Sequence, residues 1–211
     1  MKKDQLDSSA DRSREPRLRI LETAEALFAS RGFEGVSIRE IADQAKVNSA
    51  MIYYYFGNKT GLYRGIIEKA LAELTDRLTL ALQEGKNPVE RLTRYLNSHI
   101  AFLRLKSRTA QIIFQVIYSN DTQVDLLVDQ YWSQHFLMVE QILKDGIAAG
   151  CFRRVDTRLA TISLRGMILW YFMAAPIVSR YPGMEGYPQQ FDDQLAEHTL
   201  DLFLQGLMRR D

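Results

Sequence analysis

Apolar side chains recur along this chain at the spacing of helices. Ile20, Leu21, Ala24, Leu27 and Phe28 fall at i, i+1, i+4, i+7 and i+8, a single buried stripe that begins behind Pro16. Gly32 supplies a left-handed stop, and Phe33 is placed to pack back on the last turn. Ser37-Ile38-Arg39-Glu40 has the form of a capping box, in which hydroxyl and carboxylate each satisfy an orphan N–H. Ile38, Ile41, Ala42 and Ala45 then give a short second helix, and Lys46-Val47 makes the turn. Asn48 is a good N-cap for a third short helix over Ser49–Phe56. Gly57 ends it, and Asn58 can cap a long helix in which Leu62, Ile66, Ala70, Leu74 and Leu78 recur every four residues.

The remaining pattern predicts helices over 88–106, 109–119, 122–149, 157–179 and 189–208, with Gly150 and the loop "RYPGMEGYP" as breaks. No segment alternates with period two, and no internal repeat is visible. The fold class is all-α. Residues 1–15 are polar and mixed in charge, and read as a mobile tail.

A short helix, a tight turn and a second short helix, braced by a longer first one, form a helix-turn-helix. Its second helix fits the major groove of a duplex. That helix carries three successive tyrosines, an awkward choice for a core because each buried phenol needs a hydrogen-bond partner. Advancing about 100° per residue from Ile52 puts Phe56 on the core side. Ser49, Ala50, Tyr53 and Tyr54 fall on an outward face, with Met51 and Tyr55 on its flank. Small residues at the helix start allow approach to base edges, and tyrosine hydroxyls can donate to phosphate.

Composition narrows the classes without deciding among them. The 211 residues are 46% hydrophobic and 25% charged, as in an ordinary globular protein. A net charge of +1 excludes a polycationic coat protein but not a local basic surface. Cys151 is the lone cysteine, so neither an intrachain disulfide nor a cysteine-based zinc site can form. The N-terminal segment lacks the apolar run of a secretory signal. The most apolar stretch, 166–178, falls short of the roughly 20 residues a membrane span needs. The expected location is the cytoplasm, away from any membrane.

The run from Ser37 to Lys59, "SIREIADQAKVNSAMIYYYFGNK", closely resembles the DNA-binding signature of TetR-type transcriptional regulators. Two positions depart from that signature: Lys46 stands where the turn usually has Gly, and Tyr55 where a His is frequent. The resemblance implies a helix-turn-helix DNA-binding domain over 16–64, joined to a larger helical effector-binding and dimerisation domain over 65–211. It implies that Ser37 and Arg39 touch phosphate or a groove edge and that Ser49 and Ala50 approach bases. Tyr53, Tyr54 and Tyr55 would contact phosphate, sugar or base, and Lys59 would pin the backbone at a helix N-terminus. It further implies a homodimer through the two C-terminal helices, reading a palindromic double-stranded DNA operator as a repressor. An unknown small-molecule effector would release it. Pocket candidates are Phe102, Gln111, Phe114, Gln115, Tyr118, Tyr131, Trp132, His135, Trp170 and Tyr171. No cofactor and no metal is expected.

Two rival readings are weaker. An enzyme would need a catalytic constellation. His99, His135 and His198 are far apart in sequence, and no HExxH, GxSxG or phosphate-cradling glycine loop is present. A helical ligand-binding bundle that does not touch DNA would favour acidic residues where Ser49, Ala50 and Lys59 stand.

Overall fold

A computed structural model of the chain describes residues 3–117, 122–187 and 191–208. It contains α1 (Lys3–Arg31), α2 (Ile38–Ala45), α3 (Ser49–Phe56), α4 (Lys59–Glu84), α5 (Pro88–Leu105), α6 (Ser107–Ile117), α7 (Thr122–Ala148), α8 (Thr157–Met173), α9 (Ala175–Val178) and α10 (Asp192–Leu207). Among the described residues the only extended pairing is an isolated antiparallel bridge between Phe152 and Met208, so the fold is all-α. The chain groups into two compact units: Met1–Ala70 with Arg108–Asp125, and Leu71–Ser107 with Leu126–Asp211.

In the first unit the stripe on α1 is buried as its spacing predicts, with Ile20, Ala24 and Phe28 fully enclosed. Ile41 and Ala42 of α2, Ile52 of α3 and Leu62 and Ile67 of α4 close the core around it. Gly32 ends α1 at φ 72°. Phe33 then turns back onto Phe28 (5.7 Å between centroids) and Tyr63 (4.9 Å), forming an aromatic triad. Tyr63 also meets Phe28 edge-on at 5.2 Å.

Three local expectations are revised. The first helix begins at Lys3 rather than behind Pro16, so that proline sits inside α1. The preceding residues include several good helix formers; Pro16 still lacks an N–H and its ring crowds the preceding turn, and nothing in the structure explains why α1 runs through it. The capping box forms by half: Ser37 Oγ accepts from the Glu40 N–H at 3.2 Å. The Glu40 carboxylate instead takes a hydrogen bond from Arg31 at 2.5 Å. Finally, the helix over 157–179 divides, because Pro176 has no N–H to give and its ring crowds the preceding turn. α8 therefore ends at Met173, and Pro176 lies in the first turn of α9.

The second unit is built on α5, which packs against α8 and α10. Leu92, Leu96, Leu143, Leu164 and Ile168 are fully buried. α7 stops at Gly150 (φ 76°), and the N–H groups of Cys151 and Phe152 return to the carbonyl of Gly146 at 3.1 and 3.0 Å. The Phe152 ring then lies against the bare Cα of Gly146. Within that interior the buried polar residues include His99, His135 and Arg165.

Candidate functional site

The turn between α2 and α3 sets the pose of the tyrosines. Lys46 takes the left-handed conformation at φ 55°, ψ 47°, one that costs a side chain roughly 1 kcal/mol or more. Asn48 accepts from the Ala50 N–H at 2.8 Å and starts α3. Ile52 anchors α3 in the core, while Tyr53 is 53% and Tyr54 83% exposed. Ala50 is exposed beside them and Ser49 half-buried. Tyr55 is half-buried, its ring edge-on to Tyr54 at 5.1 Å.

Of the other predicted residues on this face, Ser37 is exposed, but its hydroxyl serves as the N-cap of α2. Arg39 is exposed and forms no ion pair among the described residues. Lys59 is half-buried, with Nζ 4.3 Å above the Phe33 ring, a cation–π contact that holds the stem in place. Arg17 of α1, absent from the predicted set, stacks over Phe56 at the end of α3, 5.4 Å from its centroid. Its sequence signal was weak, because an exposed arginine on a long helix is ordinary.

The predicted pocket residues are divided between the two units. Gln111, Phe114 and Gln115 belong to the first unit, where both glutamines are exposed and Phe114 is half-buried. Tyr118 lies outside the described residues. In the second unit, Trp170 is 64% exposed and Phe102 is buried on α5, while Tyr131 is half-buried on α7. Tyr171 lines an apolar cavity of about 330 Å³ with Met184, Tyr187, Phe191, Gln194, Leu195 and His198. Burial there and the neighbouring Tyr171 push the Tyr187 phenol up to about 12.

Trp132 and His135 meet residues outside the predicted pocket set. Arg165 of α8 stacks on Trp132 of α7 at 4.3 Å, and its Nη1 donates to Tyr95 Oη of α5 at 3.2 Å. His99 lies edge-on to Tyr95 at 5.6 Å and to His135 at 6.3 Å. Thr75 Oγ1 sits 2.8 Å from both the Leu71 carbonyl and His135 Nε2. A hydroxyl has one proton to give; with that proton on Leu71 O, the imidazole donates from Nε2. Burial, then the Arg165 charge, lower His135 to about 4. The same causes, with His135 added, hold His99 well below the ordinary histidine value. Both rings are therefore neutral at pH 7. The available signal was Arg165 itself, the only charged residue in the apolar run 162–178.

Comparison with known proteins places this arrangement. The family model for bacterial regulatory proteins of the tetR family matches residues 20–66. The tetracyclin repressor-like C-terminal domain matches residues 85–173. Together they span more than half of the chain. The HTH-type transcriptional repressor KstR2 of Mycolicibacterium smegmatis is 27% identical over 178 residues, covering 79% of this chain and 84% of that protein. The TetR family transcriptional regulator PfmR from Thermus thermophilus superposes with a TM-score of 0.75 at 28% identity, over 90% of this chain and 100% of that one. AibR, solved in complex with isovaleryl coenzyme A and operator DNA, gives a TM-score of 0.74 at 25% identity, over 89% and 97%.

Proposed function

The chain belongs to the TetR family of bacterial regulatory proteins, and from that premise we propose that it is a cytoplasmic, dimeric repressor released from a palindromic operator by a small-molecule effector. The observation that carries the reading is the outward face of α3, where Ala50, Tyr53 and Tyr54 stand exposed on a helix seated by Ile52. That is the composition of a reading head: small at the groove end, hydroxyl-tipped further along. Arg39, Lys59 and Arg17 supply positive charge around it, and residues 16–64 act as the DNA-binding domain.

Residues 65–211 bind effector and partner. Leu159, Ile162, Gly166 and Trp170 are exposed along one stripe of α8, and Leu202 is exposed on α10. Such an apolar stripe, with a glycine permitting close approach, suits a second copy of the same helices. AibR was solved with both isovaleryl coenzyme A and operator DNA, which supports coupling between an effector and DNA release. α4 contributes residues to both units, and an effector preferring one dimer conformation would shift operator affinity through it.

Selection from a random duplex pool tests the reading. The expected product is an inverted repeat whose half-sites lie about one helical turn or more apart. Its affinity should fall with salt at a log–log slope near −0.9 per phosphate neutralised. Ile162→Glu should leave a folded monomer, seen by sedimentation, that no longer holds the full operator. Failure to enrich any duplex would overturn the proposal.

A further inference from the structure

Arg165 is 4% exposed and is held on two sides, by the Trp132 face and by Tyr95 Oη. Its Nε is buried with no acceptor, and no ion pair among the described residues involves it. A second buried polar atom of the same cluster, His99 Nδ1, is also unpartnered. An isolated buried charge is costly, and a cation–π contact returns only part of that cost. Native interiors satisfy their polar atoms almost everywhere, so two orphans around one buried cation point to a missing acceptor.

Charge decides what kind. With His99 and His135 neutral, Arg165 is the one positive charge of the cluster, and it matches one negative charge. A phosphate dianion would bring a second charge with no cation to meet it, and a quaternary ammonium would face a like charge. A carboxylate offers in-plane oxygen lone pairs to the guanidinium edge, and His99 can donate from Nδ1 as the other neutral tautomer. Buried apolar side chains adjoin the cluster. Leu92, Leu96 and Ile100 flank Tyr95 and His99 along α5, and Leu164 and Ile168 flank Arg165 on α8, all of them buried. We propose that this cluster is the effector's headgroup site and takes the carboxylate of an organic acid with an apolar body, Arg165 being the anchor. The inference rests on the regulator reading above and gives its effector a chemical class.

Butanoate, octanoate and dodecanoate, each beside its primary amide and the alkyltrimethylammonium of equal length, are the probes on the full-length protein. The expected result is that at least one carboxylate raises the melting temperature and changes tryptophan fluorescence. Its amide and ammonium counterparts should bind about tenfold or more weakly, the scale of a lost charge-assisted hydrogen bond. Trp132→Phe should abolish the fluorescence change, and Arg165→Gln should remove the preference for carboxylate over amide. The wild-type series stands even where Arg165→Gln does not fold. Equal binding of acid and amide, preference for the ammonium, or no binding by any carboxylate up to millimolar concentration overturns the inference. A carboxylate that binds at Trp132 without altering affinity for the selected operator overturns the coupling instead. Release of the operator only by a cation keeps the regulator reading and sinks the carboxylate.

Discussion

Tyr53 and Ile52 are adjacent residues on α3 with opposite tasks. Ile52 is fully buried and sets the rotation of the helix, while Tyr53 is 53% exposed. Replacing Tyr53 with alanine therefore removes little packing. Operator affinity should fall by about tenfold, the scale of one good polar contact at an interface, and the melting temperature should stay nearly unchanged. Fluorescence anisotropy and thermal melting check the two halves; a large loss of thermal stability would place the ring in the core. Tyr55 differs from its neighbours because its ring rests between Tyr54 and Phe56, so its substitution would mix packing with any effect on DNA.

The end of α7 shows packing overriding propensity. An alanine at Gly146 would gain up to about 1 kcal/mol of helix propensity. Its Cβ, however, would lie 2.0 Å from Cδ2 and 2.3 Å from Cε2 of Phe152, and Phe152 is only 2% exposed. Overpacking of that kind costs roughly 1–3 kcal/mol, so the clash outweighs the propensity. Gly146→Ala should lower stability by about 1–2 kcal/mol, read from the urea midpoint at constant m-value. A rise in the midpoint would mean that Phe152 is not seated on Gly146. Pro176 acts at the same scale, since one missing N–H converts a predicted continuous helix into α8 and α9.

For the whole molecule, the buried histidines make stability depend on pH. Unfolded, His99 and His135 take up protons near pH 6.5; folded, His135 does so only at about 4 and His99 also far below its usual value. Between those limits the unfolded chain binds protons that the folded chain refuses. The contribution is complete above about pH 6.5 and is lost as pH falls toward 4. Carboxylates held low by their partners, such as Glu73 beside Lys106 and Arg77, add their loss only below the ordinary carboxylate range. A drop of about 3 kcal/mol between pH 7.5 and 5.5 should thus come from the two histidines. His135→Gln should flatten it by roughly half; an unchanged profile would mean that the rings are not buried neutral.

Sequence alone determined most of the elements and which face of α3 points outward. Ser37, Asn48 and Asn58 cap their helices, Lys46 and Gly57 punctuate them, and a 3.6-residue period assigned Ile52 inward and Tyr53 outward. These are local rules, acting over a turn or two of chain, and they are legible without knowing what lies opposite. The buried cluster was not legible, because it joins residues from α4, α5, α7 and α8 that no local rule connects. In sequence Tyr95 and His99 look like ordinary core, and Arg165 looks like a surface charge in an apolar helix. Only the packing of those helices decided that the arginine faces inward with no ion-pair partner among the described residues. The same packing decided that Gln111 and Gln115 face solvent in a different unit from His135. A periodic stripe tells which side of a helix is buried, whereas a neighbour from distant sequence determines whether a buried polar group is satisfied or left waiting for a ligand.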